Sequence, residues 1–362
     1  MADALKDVYT SEFIERLAVL VKTQYATFEQ ASFISDVFDD EWEGRELKAR
    51  MYHIRSCLHK YLPNNYAQAL AILRQSATAF GGFEAMFFPD FVEAYGQDDW
   101  DNSISALEWF TQYSSSEFAV RPFIKANTAR MMAVMYQWAK HENEHVRRLA
   151  SEGSRPRLPW AMALPSFKKD PTPIWPILDA LRNDPSEYVR RSVANNLNDI
   201  SKDHPSLVLD WAERHFNETQ NTDRLIKHAL RGLLKQAHPR ALHLFGYADV
   251  SGSIQGTLNL DQPTVRVGDI LAFNMQATCD HAQPLGKLRV EYLIDYQKAN
   301  GKISQKAFSW RELDCDSSTL TMAGKQSFKQ MTTRKHYEGE HVIRLRINGC
   351  ELAQQRFMVQ SV

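Results

Sequence analysis

Residues 144–160 read EHVRRLASEGSRPRLPW, and the fold of this stretch decides how the chain around it is read. In its first half Val146, Leu149, Ala150 and Gly153 recur on one face, while Arg148 and Glu152 sit four apart on another. That is the pattern of a short amphipathic helix. The second half cannot continue it, because Pro156 and Pro159 each lack a backbone N–H and restrict the residue before them. Arg147, Arg148, Arg155 and Arg157 and one indole, Trp160, are therefore set where a helix ends and a rigid loop begins. Arginines beside a planar aromatic suit phosphates and exposed bases, although a solvated helix end carries the same charges.

The stretch has echoes. EHVRRLAS at 144–151 returns as EYVRRSVA at 187–194, with Val146 and Val189 separated by 43 residues. A looser copy, DRLIKHALRGLL, begins at Asp223 and puts Ile226 another 37 residues on. Helix pairs at that period indicate a HEAT or armadillo-type solenoid, in which each repeat buries its apolar side on its neighbours. Within the second copy Val189, Val193, Leu197 and Ile200 form the stripe expected to be buried. Ser192, Asn195, Asn196 and Asp199 form a separate polar stripe, expected to line the concave surface.

Across these repeats and outward from them, helical spacing predicts helices over 11–22, 45–61, 65–79, 102–112, 126–139, 144–153, 172–182, 186–200, 204–216 and 222–235. The periodicity switches near Tyr247. Leu271, Phe273, Met275 and Ala277 alternate, as do Leu288, Val290, Tyr292, Ile294 and Tyr296, and then Ile343, Leu345 and Ile347. Such runs are strands with one buried face, and Asn348-Gly349 is a type I′ hairpin signal. The expected organisation is multidomain, α then β: an all-α HEAT-like repeat solenoid over 1–247, then an immunoglobulin-like β-sandwich over 250–362.

Composition narrows the class. The net charge is −1, but residues 1–100 carry 16 acidic and nine basic side chains, whereas 121–160 carry three acidic and eight basic. A local basic patch on an acidic chain fits a nucleic-acid surface, and also an acidic protein partner. MADALKDVYT lacks the pattern of a signal peptide, and no stretch approaches the roughly 18 uninterrupted apolar residues of a membrane span, so the expected location is cytoplasmic. Cys57, Cys279, Cys315 and Cys350 have no C-x-x-C spacing, which argues against a zinc knuckle or a disulfide framework.

His141-Glu142-Asn143-Glu144-His145 matches the zinc-binding H-E-x-x-H. It lacks a downstream third ligand and falls between two repeat helices, so no metal is expected there. Three carboxylates stand out more. Glu117 lies in SSSEFAVRPF behind serines that are candidate helix N-caps, Glu152 is on the organising stretch, and Asp199 is on the polar stripe. If the solenoid is concave on that side, all three converge with Arg148 and Trp160.

SSEFAVRPF, VRRLASEGSRPRLPW and VRRSVANNLNDISKDHP resemble the AlkC-type DNA alkylation-repair glycosylases, a HEAT-like family of which one subset carries a C-terminal immunoglobulin-like domain. The resemblance covers about residues 1–247. It implies hydrolytic removal of cationic N-methylated bases, 3-methyladenine and 3-methylcytosine, from duplex DNA, by a monomer with no cofactor and no obligate protein partner. By motif, Glu117 and Asp199 would be catalytic carboxylates, and Trp160 would contact the lesion or sugar. Arg148, Glu152, Arg155, Arg157 and Arg191 would form the DNA-binding surface. Two other readings stay open on the residues alone: a non-catalytic HEAT scaffold and a zinc peptidase.

Overall fold

The computed structural model describes residues 5–279, 283–330 and 335–361, so Met1–Ala4 of the MADALKDVYT stretch lie outside it. The helices are α1 (Ser11–Gln24), α2 (Gln30–Val37), α3 (Leu47–Tyr61), α4 (Tyr66–Ala77), α5 (Phe87–Tyr95), α6 (Trp100–Phe110), α7 (Val120–Ala126), α8 (Thr128–Trp138), α9 (Glu144–Gly153), α10 (Pro165–Lys169), α11 (Trp175–Leu181), α12 (Glu187–Ile200), α13 (Pro205–His215), α14 (Gln220–Ala229), α15 (Arg231–Lys235) and α16 (Pro239–Leu244). No helix is long and apolar enough to cross a membrane. The chain divides into two compact units, residues 1–204 with 215–229, and residues 205–214 with 230–362.

In the first unit the repeat is visible as packing. Helix α12 lies against α9 on one side and α14 on the other. Val146, Val189 and Ile226, the three positions in repeat register, are each 0% exposed. Val193, Leu197 and Ile200 complete the buried stripe of α12. Helix α9 starts on Asn143, whose side chain accepts from the His145 backbone N–H at 2.8 Å. It ends at Gly153, where a Cβ would come within 2.6 Å of Val120 and 3.0 Å of Met135. The glycine lets α9 close onto α7 and α8, and this approach brings Glu117 near Arg148.

The polar stripe of α12 departs from expectation. Ser192, Asn196 and Asp199 are buried rather than lining an open surface. They are bonded to α9 and the turn that follows it: Ser192 Oγ donates to Glu152, and Asn196 Nδ2 donates to Ser151 O at 2.8 Å. Polar groups at a helix–helix contact are tolerated because the facing helix end offers them partners. Only Asn195 faces outward, with His228 Nε2 at 3.2 Å.

The second unit holds the strands β1 (Ile254–Leu260), β2 (Thr264–Arg266), β3 (Ile270–Cys279), β4 (Gly286–Gln297), β5 (Ile303–Cys315), β6 (Thr319–Ser327), β7 (Gly339–Ile347) and β8 (Cys350–Gln360). They form a three-stranded sheet, β1-β3-β6, and a five-stranded sheet, β2-β8-β7-β4-β5, antiparallel except for β2 with β8. Leu271, Phe273, Met275, Leu288, Ile343 and Leu345 fill the core between them. The β7–β8 hairpin turns on Asn348 (φ 46°) and Gly349 (φ 88°), the double positive φ of a type I′ turn. Arg346 donates to Lys235 O at 2.7 Å and Asn348 Nδ2 to Ala248 O at 3.0 Å, which ties the end of α15 and the segment before β1 to that hairpin. Gly349 approaches Leu242 and Ala237 so closely that a Cβ would collide, so α16 packs there as well. The strand-rich unit thus takes in helices before Tyr247. All four cysteines are free.

Candidate active site

Glu117 precedes a helix without being capped by one. Helix α7 starts three residues later at Val120, and the serines act otherwise than as caps. Ser116 Oγ donates to Leu107 O at 2.8 Å, and Ser115 Oγ donates to Glu117 Oε2 at 2.7 Å. The same carboxylate oxygen accepts from Arg148 Nη1 at 2.6 Å, and Arg148 also reaches Ser115 Oγ at 3.1 Å. Glu117 Oε1 has no partner among the described residues. A half-open carboxylate is therefore held rigidly by one oxygen.

From Arg148 the network runs inward. Its second terminal nitrogen lies 3.6 Å from Glu152 Oε1, one turn along α9, and Arg155 Nη1 donates to that oxygen at 2.7 Å. Ser192 takes Glu152 Oε2. Arg155 Nε then donates to Asp199 Oδ2 at 2.9 Å, and Lys202 Nζ to Asp199 Oδ1 at 3.1 Å. Three carboxylates and two arginines thus alternate along one chain of ion pairs, all but the 3.6 Å Arg148–Glu152 link also hydrogen-bonded. Burial works against the charge on Arg148 and on Arg155, but the neighbouring carboxylates more than offset it, and both pKa values are raised. The Arg148 guanidinium also lies 4.9 Å from the ring centroid of Tyr188, a half-exposed residue at the start of α12.

Beneath this chain sits Arg121, fully buried at the start of α7. It donates to Gly153 O at 2.9 Å and to Met162 O, pinning the end of α9 and the loop beyond it. Burial, with Arg155 adding repulsion, pulls its pKa down to about 10, against the pull of Asp199, Glu117 and Glu152. The loop it holds carries Trp160, whose indole is 71% exposed and whose φ of 63° is left-handed. A bulky side chain rarely adopts that conformation, and such outliers concentrate at functional sites.

The remaining residues singled out above lie further out. Arg157 makes a two-pronged pair with Asp203, at 2.6 Å and 3.2 Å. Arg191, two-thirds exposed, meets Glu187 across one helical turn at 3.2 Å, and no other acid among the described residues. Arg148 and Arg155 were expected to face a phosphate backbone, but their guanidinium groups are directed at carboxylates.

The HENEH pentapeptide runs from a turn into the first residues of α9. His141 Nδ1 accepts from Asn143 N–H at 2.9 Å, whereas the His145 ring packs edge-on against Tyr188. Arg147 donates to the carbonyls of both His141 and Glu142, closing the turn. Among the described residues no group of three or more His, Cys, Asp or Glu is placed to hold a metal ion. Replacing both histidines by alanine is expected to change excision of a methylated base by less than about twofold, because neither ring nitrogen contacts the carboxylate chain. A larger loss, together with stoichiometric zinc in the wild-type protein, would reinstate the metal reading.

Two comparisons bear on this geometry. Protein YhaZ of Bacillus subtilis (strain 168), itself uncharacterised, is 45% identical over 350 residues, covering 96% of this chain and 97% of that protein. The solved alkylpurine DNA glycosylase AlkC of Pseudomonas fluorescens, bound to DNA containing an abasic site analogue, is 36% identical with a TM-score of 0.94, covering 99% of this chain and 100% of that one. The chain belongs to the AlkC-type family of DNA alkylation-repair glycosylases. Its two parts match separately as well: a family of DNA alkylation repair enzymes over residues 99–233, and the C-terminal Ig-like domain of YhaZ over 255–361. The whole carboxylate–arginine chain, and Trp160, fall within the first of these spans.

Ser115, Ser192 and Tyr188 touch this network, and the sequence did not mark them as partners. The one signal was proximity: each lies within five residues of a carboxylate or arginine already singled out.

Proposed function

We propose that this chain hydrolyses the N-glycosidic bond of cationic N-methylated bases, 3-methyladenine and 3-methylcytosine among them, in duplex DNA. The observation that carries this reading is Glu117: a carboxylate fixed through one oxygen, open at the other, at the mouth of a chain of two further carboxylates. A cationic base needs no protonation to leave. As the C1′–N bond breaks, its electron pair goes to the base, which departs neutral, and positive charge develops on the sugar. Fixed carboxylates stabilise that charge electrostatically, and Glu117 Oε1 accepts a proton from the water that bonds to C1′. Nothing in this sequence of bonds calls for a metal or an organic cofactor.

In this reading Glu117 and Asp199 are the catalytic carboxylates, and Trp160 meets the lesion or its sugar. Arg148 and Arg155 hold the carboxylates in place, and Glu152 links the two. Phosphates fall to outer cations. Arg190, Arg191, Arg224 and His228 line an open hollow between α12 and α14, in which Glu187 is the acid. Arg157 and Lys202 stand at the rim of the network. With bacterial DNA as its substrate, the protein acts in the cytoplasm, as a monomer.

Release of 3-methyladenine and 3-methylcytosine from methylated duplex DNA by purified, chelator-treated protein tests the reading. A protein that binds DNA but releases neither base would be the non-catalytic scaffold. Replacing Arg191 and Arg224 together by alanine should lower DNA affinity and flatten the slope of log affinity against log salt by about one unit for each phosphate no longer neutralised. An unchanged slope would move the DNA track off this hollow.

A further inference from the structure

Helices α1 to α5 lie outside the span 99–233 that matches the alkylation-repair family, yet one of their side chains reaches the loop that carries Trp160. Lys48, in the first turn of α3, donates from Nζ to Trp160 O at 2.6 Å, across 112 residues of chain. The same ammonium lies 4.7 Å from the ring centroid of Phe118, the residue after Glu117, and 5.8 Å from that of Tyr52. It thus stands between the tryptophan turn and the Glu117 segment and bonds to the carbonyl of the residue held in the left-handed conformation. Two acids of α5 face it. Burial pushes the Asp90 carboxyl up to about 6 and the Glu93 carboxyl up to about 7, and Lys48 and Arg55 oppose both shifts. Arg55 is already engaged by Asp90 at 2.9 Å, which leaves Lys48 as the second cation of this acidic pair.

We propose that Lys48 is a positioning residue: by bonding the Trp160 carbonyl while its ammonium rests over the Phe118 ring, it fixes the exposed indole in its left-handed turn. Arg121 secures the same loop two residues on, at Met162 O, so the turn is gripped from α3 on one side and α7 on the other. A side chain 71% exposed has few contacts of its own to set its direction, so its aim comes from the backbone. Misplacement of about 1 Å at a site of this kind can cost up to roughly 10²-fold in rate. The catalytic part of the inference rests on the function proposed above; the geometric part does not.

The test uses the full chain labelled with 5-fluorotryptophan. The Trp160 fluorine resonance is assigned by its loss in Trp160→Phe. Lys48→Met keeps the stem and removes the donor and the charge, and Lys48→Arg restores both. Lys48→Met is expected to shift or broaden the Trp160 resonance while leaving the other seven of the eight tryptophans in place. It should also slow single-turnover excision about tenfold with DNA affinity held within about twofold. Lys48→Arg should recover both. An unmoved Trp160 resonance in Lys48→Met overturns the proposal, as does a moved resonance with a wild-type excision rate. If Lys48→Met does not fold, Lys48→Gln is read by the same two criteria. A moved resonance in a protein whose wild type releases no methylated base leaves the positioning intact and removes the function instead.

Discussion

Glu117→Gln is expected to slow single-turnover release of a methylated base by on the order of 10²-fold or more, the scale of removing one preorganised electrostatic group. Binding to lesion-containing DNA should hold or tighten, because a negative charge facing a phosphate backbone has gone. The substitution is nearly isosteric. The introduced amide can still accept through its carbonyl oxygen from Ser115 and Arg148, which now meet Glu117 Oε2 at 2.7 Å and 2.6 Å. Its NH₂ then replaces Oε1, the oxygen with no partner among the described residues, so the loss falls on the atom proposed to act. Stability should change little, since Arg148 keeps Glu152 as its counterion and stays stacked on Tyr188. The measurement is the rate at saturating enzyme, with affinity determined separately: an effect confined to the rate belongs to the transition state, and one confined to affinity belongs to docking. Wild-type rates in Glu117→Gln would make that carboxylate structural and pass the role to Glu152 or Asp199.

How far such a site is legible in the sequence depends on what kind of information each residue carries. Local periodicity carries a helix, and α9 and α12 begin and end within a residue of where their spacing puts them. It carries a tight turn too, as Asn348-Gly349 proves with φ 46° and 88°. Among the helices that periodicity missed are two that start on a proline-bearing segment. Helix α5, FFPDFVEAY, and helix α7, VRPFIKA, both carry proline in the first turn, where the missing N–H costs nothing.

Partners are another matter. Glu117 meets Arg148 across 31 residues, Glu152 meets Ser192 across 40, and Arg155 meets Asp199 across 44. The last two separations are close to the repeat spacing, so the sequence could say that those residues converge; the first, at 31, is not. It could not say which arginine faces a carboxylate and which faces solvent. Arg147 and Arg148 are neighbours on the same helix, yet one closes the HENEH turn and pairs with Asp184, while the other holds Glu117. A run of basic residues therefore reads as a phosphate surface until the acids a repeat away are located. The polar stripe of α12 misled for the same reason: polarity marks a group that needs a partner, and water is only one of the partners available.

Asp199→Asn is expected to combine two losses that Glu117→Gln keeps apart. Asp199 is 2% exposed, with Arg155 Nε on one oxygen and Lys202 Nζ on the other. An asparagine can accept from one of these cations but must present its NH₂ to the other, so a buried pair is broken at one end. That should destabilise the fold by about 3 kcal/mol, seen as a lower midpoint in denaturant. Excision should also fall on the order of 10²-fold, and the question is by which route. The Lys202 side chain is half exposed, so a DNA phosphate can draw it away and uncover Asp199 Oδ1 for the sugar. If Asp199 acts in that direct way, Lys202→Met removes the competitor for Oδ1 and leaves the single-turnover rate at or above wild type, while Arg155→Met costs less than Asp199→Asn does. If Asp199 acts only by aiming Arg155 at Glu152, Arg155→Met alone should reproduce the full loss of Asp199→Asn, and the double variant should lose no more than either single one. The two patterns cannot both be obtained, and the direct one is the expected result: Lys202, unlike Arg155, has only this one bond to the network, so releasing it frees the carboxylate without dismantling the chain of charges behind it.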